Sequence, residues 1–267
     1  METKQYGSAL LATAEVDFLV NLERMVQHPI PVALTNEPEA QGFVHKDGHI
    51  TELHLRGIEI SFFPRELGKL RALTVLDLSD SPIQELPTSI GQLISLAEFL
   101  LCRTNVTSLP ESFGDLTSLE EFNANHTPLV TLPARFGNLV SLENLWLERC
   151  SLSSLPKSFC ELPILTELNL AGNNLKALPE NFGDLSALVE LDIRENQLTT
   201  LPASFSKLRS LQSLNLAHNQ LAELPETLCQ LDLLHHLNVA QNPLKNIPPA
   251  VAIWFDYLQA KGGTILR

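Results

Sequence analysis

Between residues 50 and 252 the apolar positions recur with a step of 23 residues. Leu73, Leu76, Leu78 and Ile83 stand under Leu96, Phe99, Leu101 and Val106, and the column runs on without insertion through Leu119, Leu142, Leu165, Leu188, Leu211 and Leu234. Ile50, Leu53, Leu55 and Ile60 open the series, which makes nine copies. In each Leu-x-Leu the two leucines share one strand face and the residue between points away. One such strand cannot bury its leucines alone, so the pattern predicts stacked copies in a parallel sheet over a shared core. A proline closes every copy, from Pro64 to Pro248, and keeps the return path extended or tightly turned. Phe113, Phe136, Phe159, Phe182 and Phe205 are expected to stack as a spine on that return side. The ninth position holds Asn173, Asn196, Asn219 and Asn242 in the last four copies, where the side chain can satisfy main-chain groups left open at the turn. Ser81, Thr104, Thr127 and Cys150 replace it less fully, and Ile58 cannot.

The copies resemble leucine-rich repeats of the class L-x-x-L-x-L-x-x-N-x-L-x-x-L-P-x-x-F-G-x-L, as in intracellular Ras-suppressor scaffolds and stand-alone microbial proteins. The resemblance implies an α/β-type repeat solenoid, a right-handed horseshoe with a concave parallel sheet. It also implies protein binding, with a small GTPase or a phosphatase among the admissible partners.

A solenoid exposes both end faces unless caps cover them. Leu11, Ala14, Phe18, Leu22 and Met25 at helical spacing, widened by Val16, Leu19, Val20 and Val26, predict a helix over 8–28 that Pro29 and Pro31 stop. Pro38 falls in a polar linker around 35–41, and Lys46-Asp47-Gly48 marks a hairpin turn into the first repeat. At the other end Pro248-Pro249 opens a helix to about Lys261 whose Trp254, Tyr257 and Leu258 can close the core, Gly262-Gly263 ends it, and Thr264-Ile265-Leu266 adds an edge strand. The expected organisation is therefore an N-terminal cap over 1–49, repeats over 50–252 and a C-terminal cap over 253–267. The broad face of the first helix is also a place where a partner or a second copy could dock.

Positions 3, 5, 7 and 8 of each copy should face the concave side. Position 5 reads His54, Asp77, Leu100, Asn123, Trp146, Asn169, Asp192, Asn215 and Asn238, so Leu100 and Trp146 interrupt a polar column. An exposed Trp on a polar face is the kind of residue that anchors interfaces. Arg103, His126 and Arg149 occupy position 8 of the same three copies, beside Cys102, Asn125 and Glu148 at position 7. Position 3 carries Glu52, Glu98, Glu121, Glu167 and Glu190. The expected partner-binding site is Glu98, Leu100, Arg103, Glu121, Asn123, His126, Trp146, Glu148 and Arg149.

Charge narrows the partner. Eighteen Lys and Arg against 31 Asp and Glu leave a net charge of −13, which disfavours nucleic-acid phosphates and anionic membranes and favours a protein surface with a basic patch. No apolar stretch is long enough to span a bilayer. The N-terminal run Gly7–Ala14 has no net positive charge ahead of it and is followed by Glu15 and Asp17, so it does not read as a secretory leader. Cys160 and Cys229 lie three copies apart in one column, about 14 Å and too far for a disulfide, and Cys102 and Cys150 are in different columns. Four thiols fit a reducing compartment, and the expected location is cytoplasmic, for a monomer. Neither His45, His49 and His54 nor His218, His235 and His236 has metal-ligand spacing. Phosphate-loop, dinucleotide, zinc-protease and hydrolase signatures are absent, so no enzyme, cofactor or metal is expected. The expected role is a non-enzymatic adaptor or regulator. Its alternatives are a secreted effector or surface recognition protein, and a repeat protein that self-associates through the Leu11–Val26 helix.

Overall fold

The computed structural model describes residues 2–32 and 41–267; the linker expected around Pro38 lies largely outside them. Each copy contributes one short strand: β4 (His49–His54), β5 (Val75–Asp77), β6 (Glu98–Leu100), β7 (Glu121–Asn123), β8 (Asn144–Trp146), β9 (Glu167–Asn169), β10 (Glu190–Asp192), β11 (Ser213–Asn215) and β12 (His236–Asn238). They pair in parallel at a register offset of one copy, as in Leu145 opposite Leu168. β3 (Gly42–Lys46) adds antiparallel to β4 at one edge, and β13 (Thr264–Leu266) adds parallel to β12 at the other, giving eleven strands. The expected parallel solenoid is the observed one, its inward leucines joined in one continuous buried core.

The return path is a short 3-10 turn after the proline, such as Glu111–Asp115 behind Pro110. Phe113, Phe136 and Phe159 stack at ring-centroid distances of 6.1 and 5.8 Å, and Phe182 and Phe205 at 6.0 Å. Among the described residues no stacked pair joins Phe159 to Phe182, so the expected spine is interrupted there. Two substitutions coincide with the break. Most copies carry glycine after the aromatic or aliphatic residue because the next turn lies against it: a Cβ on Gly183 would overlap the Ser204 main-chain oxygen. Cys160 occupies that position in the fifth copy. Pro163 then holds Leu162 extended, at ψ 109°, where the equivalent Leu139 has ψ 68°.

The N-terminal cap differs from the helix expected over 8–28. Residues 3–12 form a hairpin, β1 (Thr3–Tyr6) and β2 (Ala9–Ala12), turning at Gly7 with φ +55°. Ala9 and Leu11 are buried and Leu10 is exposed, an alternation of period two. The helix α1 spans Thr13–Val26, and Gln27 ends it in the left-handed conformation before either proline is reached. Its buried face is Glu15, Val16, Phe18, Leu19 and Leu22, while Ala14 and Met25 are exposed. That face is spent on the first copy, with Phe18 6.1 Å from Phe63, so it is not open to a second chain. Asp47 and Gly48 make the expected turn between β3 and β4, both at positive φ. At the C-terminus α2 (Pro249–Ala260) buries Val251, Trp254, Phe255 and Leu258 at the end of the solenoid, whereas Tyr257, expected to help close the core, is half exposed.

Candidate functional site on the concave sheet

The concave face is built from main-chain satisfaction outward. Every eighth position is left-handed, from Gly57 at φ +71° through Asp80, Arg103, His126 and Arg149 to Gln241 at φ +58°. The chain can turn there because position 5 caps it: Asn169 Oδ1 accepts the Ala171 N–H at 3.0 Å and Asp77 Oδ1 accepts the Ser79 N–H at 2.8 Å. Asn123, Asp192, Asn215 and Asn238 do the same, so the polar column is structural as well as solvated.

Leu100 and Trp146 cannot make this bond, and the preceding copy supplies it. Ser79 Oγ accepts the Cys102 N–H at 3.2 Å, and Asn125 Oδ1 accepts the Glu148 N–H at 2.7 Å. Both apolar side chains are half-buried, less open than the exposed Trp expected of an interface anchor. The indole Nε1 of Trp146 donates to Glu167 Oε1 at 2.6 Å, which fixes the ring.

The remaining predicted site residues fall on the same face. Arg103 is exposed and chelates Asp80, which Arg56 also contacts at 2.7 Å; this Arg103 bond, more than any other influence, holds the Asp80 carboxyl below the usual carboxylate range. Glu148 meets Arg194 at 3.4 Å and Arg149 at 3.9 Å, and Arg194 also reaches Asp192 at 2.6 Å. His126 and Arg149 are exposed. Glu98 and Glu121 are half-buried on adjacent strands in direct register. Burial, followed by the Glu121 charge, pushes the Glu98 carboxyl up. The sheet therefore brings all nine predicted residues onto three neighbouring strands and the turns that follow them. Asn123 has a mainly internal role, accepting from Asn125 N–H and, at 2.9 Å, from the Cys102 thiol. Burial raises that thiol and pushes Cys150 and Cys160 up to about 12, so none is poised as a thiolate nucleophile.

Asp80 is missed by residue type, and Asn125 and Glu167 are placed on the concave face but outside the expected site. The usable signal was spacing: Trp146 and Glu167 are 21 residues apart, which places position 5 beside position 3 of the next copy. A depression of about 250 Å³ lies beside this site, lined by Glu167, Asn169, Glu190, Asp192, Asn215 and His236. Larger furrows occur on the proline side, at Gln84–Pro110 and again at Ser154–Asn181. They occupy equivalent positions in separate pairs of copies and so belong to the repeat geometry.

Sequence profiles described as a leucine-rich repeat region and as leucine-rich repeats match residues 42–128, 141–162, 165–185 and 176–221, together more than half of the chain. No curated protein matches the sequence. A leucine-rich repeat protein of Leptospira interrogans is similar in structure, with TM-score 0.72, 29% identity, 88% of this chain and 60% of that chain covered. This chain thus spans less than two thirds of that protein. The leucine-rich repeat ectodomain of the Arabidopsis thaliana receptor kinase GASSHO1/SCHENGEN3, solved with CASPARIAN STRIP INTEGRITY FACTOR 2, has TM-score 0.72 and 29% identity over 82% of this chain and 28% of its own. The leucine-rich repeat domain of the type III effector XopL has TM-score 0.72 and 27% identity over 81% of this chain and 75% of its own. Proteins built this way generally act as protein-interaction modules, and among the described residues no helix is long and apolar enough to cross a membrane. With its unbroken register of nine copies and its single stacked core, the chain belongs to the leucine-rich repeat family.

Proposed function

We propose that this protein is a non-enzymatic adaptor or regulator that binds a protein partner on its concave face around Leu100 and Trp146. One observation carries the reading: the two apolar side chains interrupt a column of self-capping Asx residues, and Ser79 and Asn125 take over the missing caps. Apolar groups are thereby presented on a solvated sheet with its main chain still satisfied, as an interface anchor requires. Eleven strands at about 4.8 Å offer room for roughly 800 Å² of contact per partner. The acidic face steers basic protein surfaces toward it, and a small GTPase or phosphatase with such a patch fits this reading. The four thiols favour a reducing, cytoplasmic setting.

The test is affinity capture from native lysate with wild type and a folded Leu100→Glu/Trp146→Glu variant. Partners lost only with the variant support the site; partners retained by both overturn it. The similarity to the XopL repeat domain favours a second reading, a secreted effector, which cell fractionation separates from a resident adaptor.

A further inference from the structure

The concave face carries its charge unevenly. At positions 5, 7 and 8 the carboxylates of Asp80, Glu148, Asp192 and Glu195 are paired with Arg56, Arg103, Arg149 and Arg194. At position 3, Glu98, Glu121, Glu167 and Glu190 line up across β6, β7, β9 and β10, and among the described residues none of the four has an ion-pair partner. The ladder is interrupted once, on β8, by Asn144, which donates to Glu121 at 3.3 Å. The same strand carries Trp146 two residues on. The result is two glutamate pairs with an indole on the strand midway between them. Three strand spacings separate the pair centres, about 14 Å. An extended chain advances about 3.3 Å per residue, so residues i and i+4 are about 13 Å apart and share a face with residue i+2.

We infer that the site takes an extended basic segment of the partner laid across the strands, with Lys or Arg at i and i+4 on the two glutamate pairs and an apolar or aromatic side chain at i+2 against Trp146. The depression between Glu167, Glu190 and Asp192 receives one of the two cations. The ring is preset by its bond to Glu167, so little ordering is left for binding. The inference rests on the protein-binding reading above and adds the chemistry and spacing of what is bound.

The experiment pans a random library of displayed 12-residue peptides against the full chain, in parallel with a Glu98→Gln/Glu121→Gln/Glu190→Gln variant and with Trp146→Ala. The expected result is enrichment of two basic residues four apart flanking an apolar one, on wild type alone. A synthetic peptide of that pattern should bind at least about tenfold more weakly to either variant by fluorescence anisotropy, and moving its basic residues to i, i+3 or i, i+6 should weaken it similarly. No enrichment, enrichment without the spacing, or equal binding to the variants would overturn the inference. Should capture of native partners still depend on Leu100 and Trp146, the protein-binding reading stands although the basic-segment inference has failed.

Discussion

Asn125 Oδ1 accepts the main-chain N–H of Glu148 at 2.7 Å, one copy away, and so performs the capping that Trp146 cannot. This bond predicts a coupled pair. Asn125→Ala should cost about 1–2 kcal/mol, the penalty of leaving a partly buried N–H unmatched. Trp146→Asn restores a local cap, so Asn125→Ala in that background should be nearly neutral. Urea denaturation of the four proteins checks the cycle, and additive effects would contradict it.

The ninth-position ladder divides the solenoid by chemistry. Asn196 accepts from Leu175 N–H at 3.0 Å and donates to Leu170 and Ile193 carbonyls at 2.9 and 3.2 Å. Cys150 makes one weak bond, to the Ala124 carbonyl at 3.3 Å. Asn196→Ala should therefore cost about 2–4 kcal/mol, from several unmatched buried groups. Cys150→Ala should cost far less, measured by thermal unfolding under reducing conditions.

Left-handed turns give a change in the other direction. His218 holds φ +54° outside the proposed site. An L residue there costs roughly 1–2 kcal/mol, partly offset by the greater chain freedom of glycine when unfolded. His218→Gly should raise stability by up to about 1 kcal/mol. Gly183→Ala should be strongly destabilising, because its Cβ overlaps the Ser204 main chain. Midpoint shifts in denaturant decide both.

The Glu98–Glu121 pair predicts a pH dependence. The folded state holds the Glu98 carboxyl above its ordinary value of 4.5, through burial first and the Glu121 charge second. The folded protein therefore binds the proton more tightly than the unfolded chain, and this group lowers stability at pH values above its folded pKa. The penalty is relieved as pH falls through that value toward 4.5. Glu98→Gln should raise the melting temperature at pH 7.5, and the gain should shrink at pH 5. A gain that grows on acidification would contradict the assignment.

Much of the molecule was legible because repetition multiplies a weak signal. Leu-x-Leu in one copy is ambiguous, but nine copies in constant register leave one way to bury every leucine. The same register placed Leu100 and Trp146 on one face and assigned the nine site residues to adjacent strands and turns. The N-terminal cap has no repeat to reinforce it. Ala9-Leu10-Leu11-Ala12 is compatible with either periodicity, and Gly7 at positive φ, together with pairing to Thr3–Tyr6, decided for a strand.

By itself, then, the sequence determined the copy number, the strand faces, the apolar core and the two interruptions of the polar column. These depend on spacing along the chain, which residue type and period report directly. Only the tertiary structure decided which polar atoms meet between copies. Trp146 with Glu167, Asn125 with Glu148 and Asp80 with Arg103 are contacts between neighbouring turns, made by side chains whose partners lie 21 or 23 residues away. Their pairing depends on how the turns stack. It also left Glu98, Glu121, Glu167 and Glu190 on the concave face without an ion-pair partner among the described residues.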